Sequence, residues 1–357
     1  MSSGPVAKRH KIAVIPGDGI GHEVVPEGIR VLERVGKLYN IEFDWDELNW
    51  SCELFAKTGR MMPEDGLDGI KGHDAIFLGA VGYPSVPDHV SLWGLLIPIR
   101  KTFDQYANVR PVKLMPGVKS PLADRSSKDI DFLIVRENTE GEYSSLGARV
   151  NEGGPDEYAY QESRFSRKGV DRILRYAFEA AGSRRKHVTS ATKSNGIAIT
   201  MPYWDERFAA MAAEYPAIET AQYHIDILTA HFVRNPQYFD VVVGSNLFGD
   251  ILSDLGPACA GTIAIAPSAN INPERLYPSM FEPVHGSAPD IYGKNIANPI
   301  GQIWSAALML EHLGYPEASR AVMSAIEAVL VSGPKTGDLG GRASTQDMGK
   351  AIAEAVA

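Results

Sequence analysis

Short runs rich in β-branched residues alternate with longer amphipathic segments along most of this chain. Residues 11–15 are typical of a buried strand, residues 16–21 of a turn, and residues 22–39 carry apolar side chains at helical spacing. Further strands are predicted at residues 41–45, 75–78, 131–135, 188–191 and 240–243, and long helices at residues 300–313 and 317–331. This alternation predicts an α/β fold.

Length and charge limit the partners of the chain. Its 357 residues indicate two domains, at roughly 150 residues per domain. The formal net charge is −9 and the sequence has no basic tract, so we expect no nucleic-acid partner. An anionic small molecule would need a local cluster of Arg or Lys side chains.

The cysteines and the apolar segments indicate the compartment. Cys52 and Cys259 are far apart in the sequence, too few for a cysteine-rich zinc site, and fit a reducing environment. Residues 1–10 lack the apolar core of a secretory signal, and the apolar residues 256–271 are interrupted by two prolines. We therefore expect a cytoplasmic protein that does not enter a membrane.

The glycines of residues 17–21 resemble a dinucleotide-binding loop but do not match it. A Rossmann fingerprint requires a third glycine at position 22, where this chain has His22. The P-loop pattern is also missing from the sequence. The glycines could serve a tight turn between strand and helix or contact a ligand directly, and the sequence leaves both open.

Two aspartates, Asp250 and Asp254, are spaced to share one face of a helix. Carboxylates one turn apart supply part of the oxygen shell that Mg²⁺ or Mn²⁺ prefers. The preceding apolar run, residues 241–243, predicts a buried strand, and open α/β sheets bind ligands where such strands end. A third acid, Asp226, follows another β-like run; a solvated acidic face is the alternative.

Three arginines occur in apolar surroundings: Arg100, Arg110 and Arg136. Guanidinium groups bind carboxylates through two parallel hydrogen bonds, so three that converge could hold a dicarboxylate in an acidic protein. Each could instead pair with a neighbouring Asp or Glu.

Two further segments could take part in chemistry. Tyr143 and Lys193 are candidate acid–base groups if their surroundings shift their pKa values, and otherwise ordinary surface side chains. Residues 282–291 form a loop of small residues around His285 that would let backbone approach a ligand, with Asp290 able to accept ribose hydroxyls. A plain connector between strand and helix is the alternative.

Together these segments resemble the β-decarboxylating dehydrogenases that include isocitrate and isopropylmalate dehydrogenases. The resemblance runs from Gly17 to Gly341, and its markers follow the family's order. It implies a two-domain α/β fold with a large mixed sheet that is not a Rossmann fold. Residues 1–105 and 261–357 would form a cofactor-binding domain, and residues 106–260 a metal and dimerisation domain with an arm near residues 145–165.

The resemblance also implies the roles of the candidate residues. The three arginines and Asn195 would bind the substrate, and Tyr143, Lys193 and Asp226 would be catalytic. Asp226, Asp250 and Asp254 would bind Mn²⁺ or Mg²⁺, with K⁺ as a further candidate ion. Because Lys193, Asn195 and Asp226 come from the neighbouring subunit in this family, a homodimer is implied.

The family resemblance predicts NAD as the cofactor. Its pocket would be built by His285, Gly286, Ser287, Ala288, Asp290, Ile291 and Asn298. NADP-dependent members have a Lys-Tyr pair where this chain has Asp290 and Ile291. A carboxylate there would bind a 2′-hydroxyl and repel a 2′-phosphate.

Substrate choice depends on residues 91–97, where members of the family differ. This chain has Trp93 in the segment and lacks a pair of polar side chains that could bind a further substrate carboxylate. We therefore infer that the indole fills the space that a substituent on C3 of the substrate would occupy. Trp93-Gly94 and residues 103–106 resemble the branch that acts on tartrate and D-malate. Simple helix packing of Trp93, a 3-isopropylmalate substrate, and an inactive dicarboxylate-binding relative are the alternatives.

Overall fold

The computed structural model describes residues 8–357, and a ten-stranded mixed sheet lies at its centre. Residues 1–7, part of the segment on which the expected lack of a secretory signal rests, lie outside the described residues. The strands are β1 (Lys8–Gly17), β2 (Ile41–Glu47), β3 (Ala75–Ala80), β4 (Ala107–Lys113), β5 (Asp131–Glu137), β6 (Gly147–Val150), β7 (Tyr158–Gln161), β8 (His187–Thr192), β9 (Glu219–His224), β10 (Val241–Gly244), β11 (Pro267–Ile271) and β12 (Ser279–Pro283).

The strand order of the large sheet is β2-β1-β3-β12-β11-β4-β5-β10-β8-β9. Strands at both ends pair in parallel, whereas the three central pairs, β12–β11, β11–β4 and β4–β5, are antiparallel. The predicted α/β fold with a large mixed sheet is confirmed. The division into residues 1–105 with 261–357 and residues 106–260 stays a prediction.

Helices cover both faces of the sheet. They are α1 (Gly21–Tyr39), α2 (Cys52–Thr58), α3 (Gly66–Ile70), α4 (Asp88–Ser91), α5 (Ile97–Thr102), α6 (Arg167–Gly182), α7 (Thr200–Glu214), α8 (Ile225–Arg234), α9 (Asn246–Cys259), α10 (Ile300–His312), α11 (Pro316–Ser332) and α12 (Thr345–Ala355). A π-helical turn, Leu92–Leu96, joins α4 to α5. Within residues 8–357, every helix is too short or too polar to cross a bilayer.

The elements with clear periodicity lie where the sequence predicts them. Helix α1 buries Val25, Leu32 and Val35 on one face, and α10 and α11 coincide within one residue at each end with the helices predicted at residues 300–313 and 317–331. Strands β4, β11 and β12 were missed, because they are largely buried yet carry polar side chains that break an apolar pattern. These polar side chains belong to the candidate site.

The glycines of the β1–α1 turn pack against protein backbone. Gly17 and Gly19 both have positive φ. A β-carbon on Gly17 would lie 2.0 Å from the Ala80 carbonyl oxygen, and one on Gly19 would lie 2.1 Å from the Ser287 carbonyl oxygen. Only glycine permits this conformation together with such close approach. The turn interpretation therefore accounts for both residues.

Residues 145–165, interpreted as an arm, contain a small antiparallel ribbon. Strands β6 and β7 pair with each other, with Gly147 opposite Gln161. All of β7 is exposed, including Tyr158 and Tyr160 at 56% and 51% exposure. This ribbon lies outside the ten-stranded sheet.

Candidate active site

The candidate site lies where β5 and β10 end and α9 begins. Helix α9 follows β10 directly, with Ser245 as its N-cap. A β-carbon on Gly249 would lie 2.5 Å from the Cβ of Arg136, so a glycine here lets α9 approach the end of β5. This approach brings Arg136 against the face of α9 that carries Asp250.

Arg136 is held by two partners on α9. Its guanidinium donates to the Asn246 side-chain oxygen, at 3.1 Å from Nε and 2.6 Å from Nη2, and forms an ion pair with Asp250. The hydroxyl of Tyr143 donates a 2.5 Å hydrogen bond to Asp250 Oδ2. Three of the predicted site residues are therefore in direct contact.

The other two arginines belong to the same buried cluster. Arg110 Nη1 donates to Ser253 Oγ at 2.7 Å and lies 3.9 Å from Asp254, while Arg100 Nη2 donates to Glu282 Oε1 at 3.0 Å. Burial, reinforced by the nearby Arg136 charge, lowers the pKa of Arg110 to about 10. The arginines thus converge, and each also faces an acidic side chain.

A chain of buried amides connects Arg100 to Arg110. Glu282 Oε1 accepts from Asn270 Nδ2 at 2.7 Å, and Asn270 Oδ1 accepts from Asn108 Nδ2 at 2.9 Å. The Asn108 oxygen then accepts from Arg110 Nε at 2.9 Å. These contacts fix the two guanidinium groups relative to each other across β12, β11 and β4.

The pKa values of the two aspartates of α9 are shifted in opposite directions. Burial alone would raise the pKa of Asp250, but the charge of Arg136 and the Tyr143 hydrogen bond outweigh it and lower that pKa. Burial and the neighbouring charge of Asp250 raise the pKa of Asp254, against the opposing effect of Arg110. A divalent cation would relieve the repulsion between these carboxylates, so the donor set fits Mg²⁺ or Mn²⁺.

Asp226, the third predicted metal ligand, is not brought to Asp250 and Asp254 within a single chain. Within residues 8–357, no three His, Cys, Asp or Glu side chains gather around one point that could hold a metal. Asp226, near the start of α8, is 67% exposed and forms an ion pair with Lys193 at 2.7 Å. Asn195 is exposed beside them.

The predicted cofactor loop packs on the start of α1. The Ser287 carbonyl accepts the Ile20 N–H at 2.8 Å, and Ala288 and Ile291 contact a small apolar cluster with Ile20 and Val24. Gly286 is exposed, and a β-carbon at this position would have no heavy atom within 4 Å. The backbone at this glycine is therefore open to a ligand.

The polar groups of this loop suit a dinucleotide. Burial lowers the pKa of His285, and among the described residues its buried Nε2 has no hydrogen-bond partner. Asp290 is exposed. Asn298 donates to Asp338 at 2.9 Å and thereby ties the loop to the Gly-rich segment near the C terminus. An unpartnered nitrogen, an exposed carboxylate and small residues fit ribose and amide groups.

Trp93 lies on the π-helical turn before α5. Its side chain is 37% exposed, and the ammonium of Lys101 lies 5.3 Å from the ring centroid. Such exposure disfavours the interpretation of Trp93 as simple helix packing. Gly94 makes room for Met61 beneath the turn, since a β-carbon there would lie 2.7 Å from the Met61 side chain.

Several residues that hold the arginines, directly or through a neighbour, were missed by sequence reasoning. They are Asn108, Asn246, Ser253 and Glu282, which contact an arginine, and Asn270, which joins Asn108 to Glu282. Ser253 lies between the two aspartates and could have been found from the spacing of α9. Asn108 and Asn270 occur inside strands that apolar periodicity does not detect, and only the sheet topology brings them together, whereas Asn246 is the first residue of α9.

Comparison with known proteins gives a consistent result. The profile described as isocitrate/isopropylmalate dehydrogenase matches residues 11–352. The chain is 60% identical to "D-malate dehydrogenase [decarboxylating]" of Escherichia coli (strain K12), over 98% of this chain and 99% of that protein. It is also 60% identical to "Tartrate dehydrogenase/decarboxylase" of Pseudomonas putida, with the same coverage of both chains.

A solved structure supports the same assignment. The crystal structure of isocitrate dehydrogenase from Methylococcus capsulatus superimposes with a TM-score of 0.87 at 36% identity, covering 97% of this chain and 99% of that one. The fold and the site therefore define a dehydrogenase of the β-decarboxylating class. The chain belongs to the isocitrate/isopropylmalate dehydrogenase family and is an oxidoreductase acting on a CH–OH group.

Proposed function

We propose that this protein oxidises D-malate and tartrate with NAD⁺ and a divalent cation, Mn²⁺ or Mg²⁺, and decarboxylates D-malate to pyruvate and CO₂. The observation that carries the proposal is the convergence of three buried arginines beside α9, where Arg136 pairs with Asp250, Arg110 lies 3.9 Å from Asp254, and Arg100 is held by Glu282. The arginine side chains would bind the substrate carboxylates, next to the aspartates that would bind the metal. The names of the two relatives at 60% identity support the substrates.

The metal site would be shared between two copies of the chain. Asp250 and Asp254 would bind the cation from one copy, and Asp226 from the other. When bound, the cation would lower the pKa of the substrate hydroxyl and stabilise negative charge on its oxygen. K⁺ is a further candidate ligand of the site.

Because this site is shared between two copies, we also propose that the protein is a homodimer. Lys193, Asn195 and Asp226 lie on an exposed surface, and Ile197, Ile199 and Ile227 are exposed around them by 39%, 83% and 47%. Exposed apolar side chains beside functional groups are typical of an interface. A second copy of the chain would cover them and complete the site.

Two side chains would move protons. Lys193 of the second copy would accept the proton of the substrate hydroxyl through water, and NAD⁺ would be the acceptor of the hydride. Burial, together with the Asp250 hydrogen bond, raises the pKa of Tyr143 to about 12. Its hydroxyl therefore stays protonated at neutral pH and could donate a proton to the carbon that loses CO₂.

The cofactor and the compartment are parts of the same proposal. Asp290 and Ile291 favour NAD⁺, because an exposed carboxylate accepts from a 2′-hydroxyl and repels a 2′-phosphate. Both cysteines, Cys52 and Cys259, are free and buried, which fits a reducing compartment, so we propose the cytoplasm.

A substrate panel tests the function. The purified protein is assayed with NAD⁺ and Mn²⁺, with and without K⁺, on D-malate, the tartrate stereoisomers and 3-isopropylmalate, and NADH and CO₂ are measured separately. We expect D-malate and tartrate to give the highest kcat/KM. A higher value for 3-isopropylmalate would overturn the substrate assignment, and no NADH from any 2-hydroxy diacid would favour a binding protein.

A further inference from the structure

The side chain of Glu142 binds the N-terminus of α9. Its Oε1 accepts from the Ser245 hydroxyl at 2.7 Å, and its Oε2 accepts from the Leu247 backbone N–H at 3.1 Å. The first N–H groups of a helix lack partners within the helix, so an acceptor here stabilises the helix end. Glu142 thus joins the turn after β5 to the beginning of the 14-residue helix α9.

The next residue in the chain makes the second contact with the same helix. Tyr143 donates its hydroxyl to Asp250 Oδ2 at 2.5 Å. Glu142 therefore holds the turn at the start of α9, and Tyr143 reaches α9 one turn further along. Two adjacent residues, bound to one helix at two points, define both the distance and the direction of the phenol relative to Asp250.

The turn is also held from its other side. Gln161 Nε2 on β7 donates to the Glu142 carbonyl oxygen at 2.8 Å. The backbone of Glu142 is thus bound to the β6–β7 ribbon and its side chain to α9. Movement of the turn away from α9 would require the loss of both contacts.

We propose that Glu142 is a positioning residue, which fixes the hydroxyl of Tyr143 in place for proton donation; this rests on the proposed function of the site. Glu142 acts through its two accepted hydrogen bonds and not by contact with the substrate. Proton donation depends strongly on donor placement, so loss of the contacts would lower kcat more than it changes substrate affinity.

The chain supplies a matched control two residues earlier. Glu140 accepts from the Ser166 N–H and the Ser166 hydroxyl, both at 2.8 Å, and Ser166 is the N-cap of α6. Glu140 therefore makes the same kind of contact from the same turn to a different helix. Helix α6 carries none of the proposed site residues.

The test compares Glu142→Ala, Glu142→Gln, Ser245→Ala and Glu140→Ala with the unchanged chain. For each we would measure kcat and KM for D-malate, thermal unfolding, and Mn²⁺ affinity from the signal of free Mn²⁺ in electron paramagnetic resonance. We expect Glu142→Ala to lower kcat about tenfold or more, with KM and Mn²⁺ affinity changed less than about threefold. Glu142→Gln can still bridge the two residues, because its oxygen can accept from the Leu247 N–H while its amide donates to the Ser245 hydroxyl oxygen, and it should recover most of kcat.

Ser245→Ala keeps Glu142 and removes one of its two donors, so it tests the proposal even if Glu142→Ala fails to fold. It also removes the acceptor of the Phe248 N–H at the start of α9, so its Mn²⁺ affinity is compared with its kcat to separate loss of this cap from loss of the Glu142 contact. We expect an intermediate fall in kcat. Glu140→Ala should lower the unfolding temperature with kcat within about twofold of the unchanged chain.

Three results would overturn the proposal: full activity in Glu142→Ala or Ser245→Ala, an equal loss in Glu140→Ala, or parallel losses of kcat, substrate affinity and Mn²⁺ affinity. The last would show a merely structural role. An inactive unchanged chain would instead refute the proposed function, and the two failures are therefore distinguishable.

Discussion

Lys193 Nζ lies 2.7 Å from Asp226 Oδ1, on an exposed surface of the single chain. An exposed ion pair of this kind contributes little to stability. The pair instead presents an amine and a carboxylate to whatever covers that surface. If the cover is a second copy, Lys193 of one copy and Tyr143 of the other share a site.

A mixing experiment tests this sharing. Lys193→Met and Tyr143→Phe variants should each be nearly inactive. Random reassociation of equal amounts should restore about a quarter of the unchanged activity, since half of the dimers are mixed and one of their two sites is intact. The measurement is NADH formation after mixing under conditions that exchange subunits.

Controls for the mixing experiment are the two variants refolded separately. Lys193→Met should unfold at the temperature of the unchanged chain, because the exposed pair adds little to stability. Tyr143→Phe should unfold at a somewhat lower temperature, because it removes the hydroxyl that donates to the partly buried Asp250. If mixing restores nothing while mixed dimers are detected by mass, each site belongs to one chain and the proposed sharing is wrong.

The ion pair of Arg100 and Glu282 should contribute more to stability than the exposed pair of Lys193 and Asp226, because both of its side chains are about nine-tenths buried. Arg100→Met leaves Glu282 buried without its cation, and we expect the free energy of unfolding to fall by about 3 kcal/mol. The double variant Arg100→Met with Glu282→Gln should regain most of that loss, since the amide still accepts from Asn270. Denaturant unfolding measures both values.

Substrate binding should not recover in the double variant. Loss of charge-assisted hydrogen bonds from Arg100 should raise KM for D-malate about tenfold or more in both variants. Recovery of KM together with stability would show that Arg100 has only a structural role. KM for NAD⁺ serves as the internal control.

The sequence predicts the parts of the site that are local in the chain. Asp250 and Asp254 could be placed on one helix face from their spacing, and Arg136 at a strand end from the apolar run before it. The relay through Asn270 and Asn108 could not be predicted, because residues 162 positions apart meet only once the antiparallel centre of the sheet is formed. Asp226 could be noted as a third acid after a β-like run, but its role as a metal ligand followed only from family resemblance, since no single-chain spacing brings it to α9.

Cofactor choice can be tested at Asp290. Replacing Asp290 with Lys and Ile291 with Tyr should raise kcat/KM for NADP⁺ and lower it for NAD⁺, because the carboxylate that repels a 2′-phosphate becomes a cation. Asp290→Asn, which removes only the charge, should give a smaller change in the same direction. An unchanged ratio of the two kcat/KM values would place the adenine ribose elsewhere.

Trp93 is the test of substrate size. Trp93→Ala should raise kcat/KM for 3-isopropylmalate and lower it for D-malate, because the removed indole would leave an apolar space of side-chain size. Lys101→Met removes the ammonium above the ring and keeps the indole, so it should leave the preference unchanged. If Trp93→Ala lowers activity on all diacids equally, the indole does not set the size of the pocket.

The β1–α1 turn offers a test that separates backbone strain from packing. Gly19 and Gly59 both have positive φ, but a β-carbon on Gly19 would meet the Ser287 carbonyl oxygen at 2.1 Å, whereas one on Gly59 would have nothing within 4 Å. Gly59→Ala should therefore cost only the conformational strain, about 1 kcal/mol in the free energy of unfolding. Gly19→Ala adds the displacement of the Ser287 loop and should cost about 2–3 kcal/mol more.

Because that loop is the proposed cofactor site, Gly19→Ala should also raise KM for NAD⁺, and Gly59→Ala should not. Equal losses of stability with unchanged KM in both variants would show that the loop does not depend on the glycine turn.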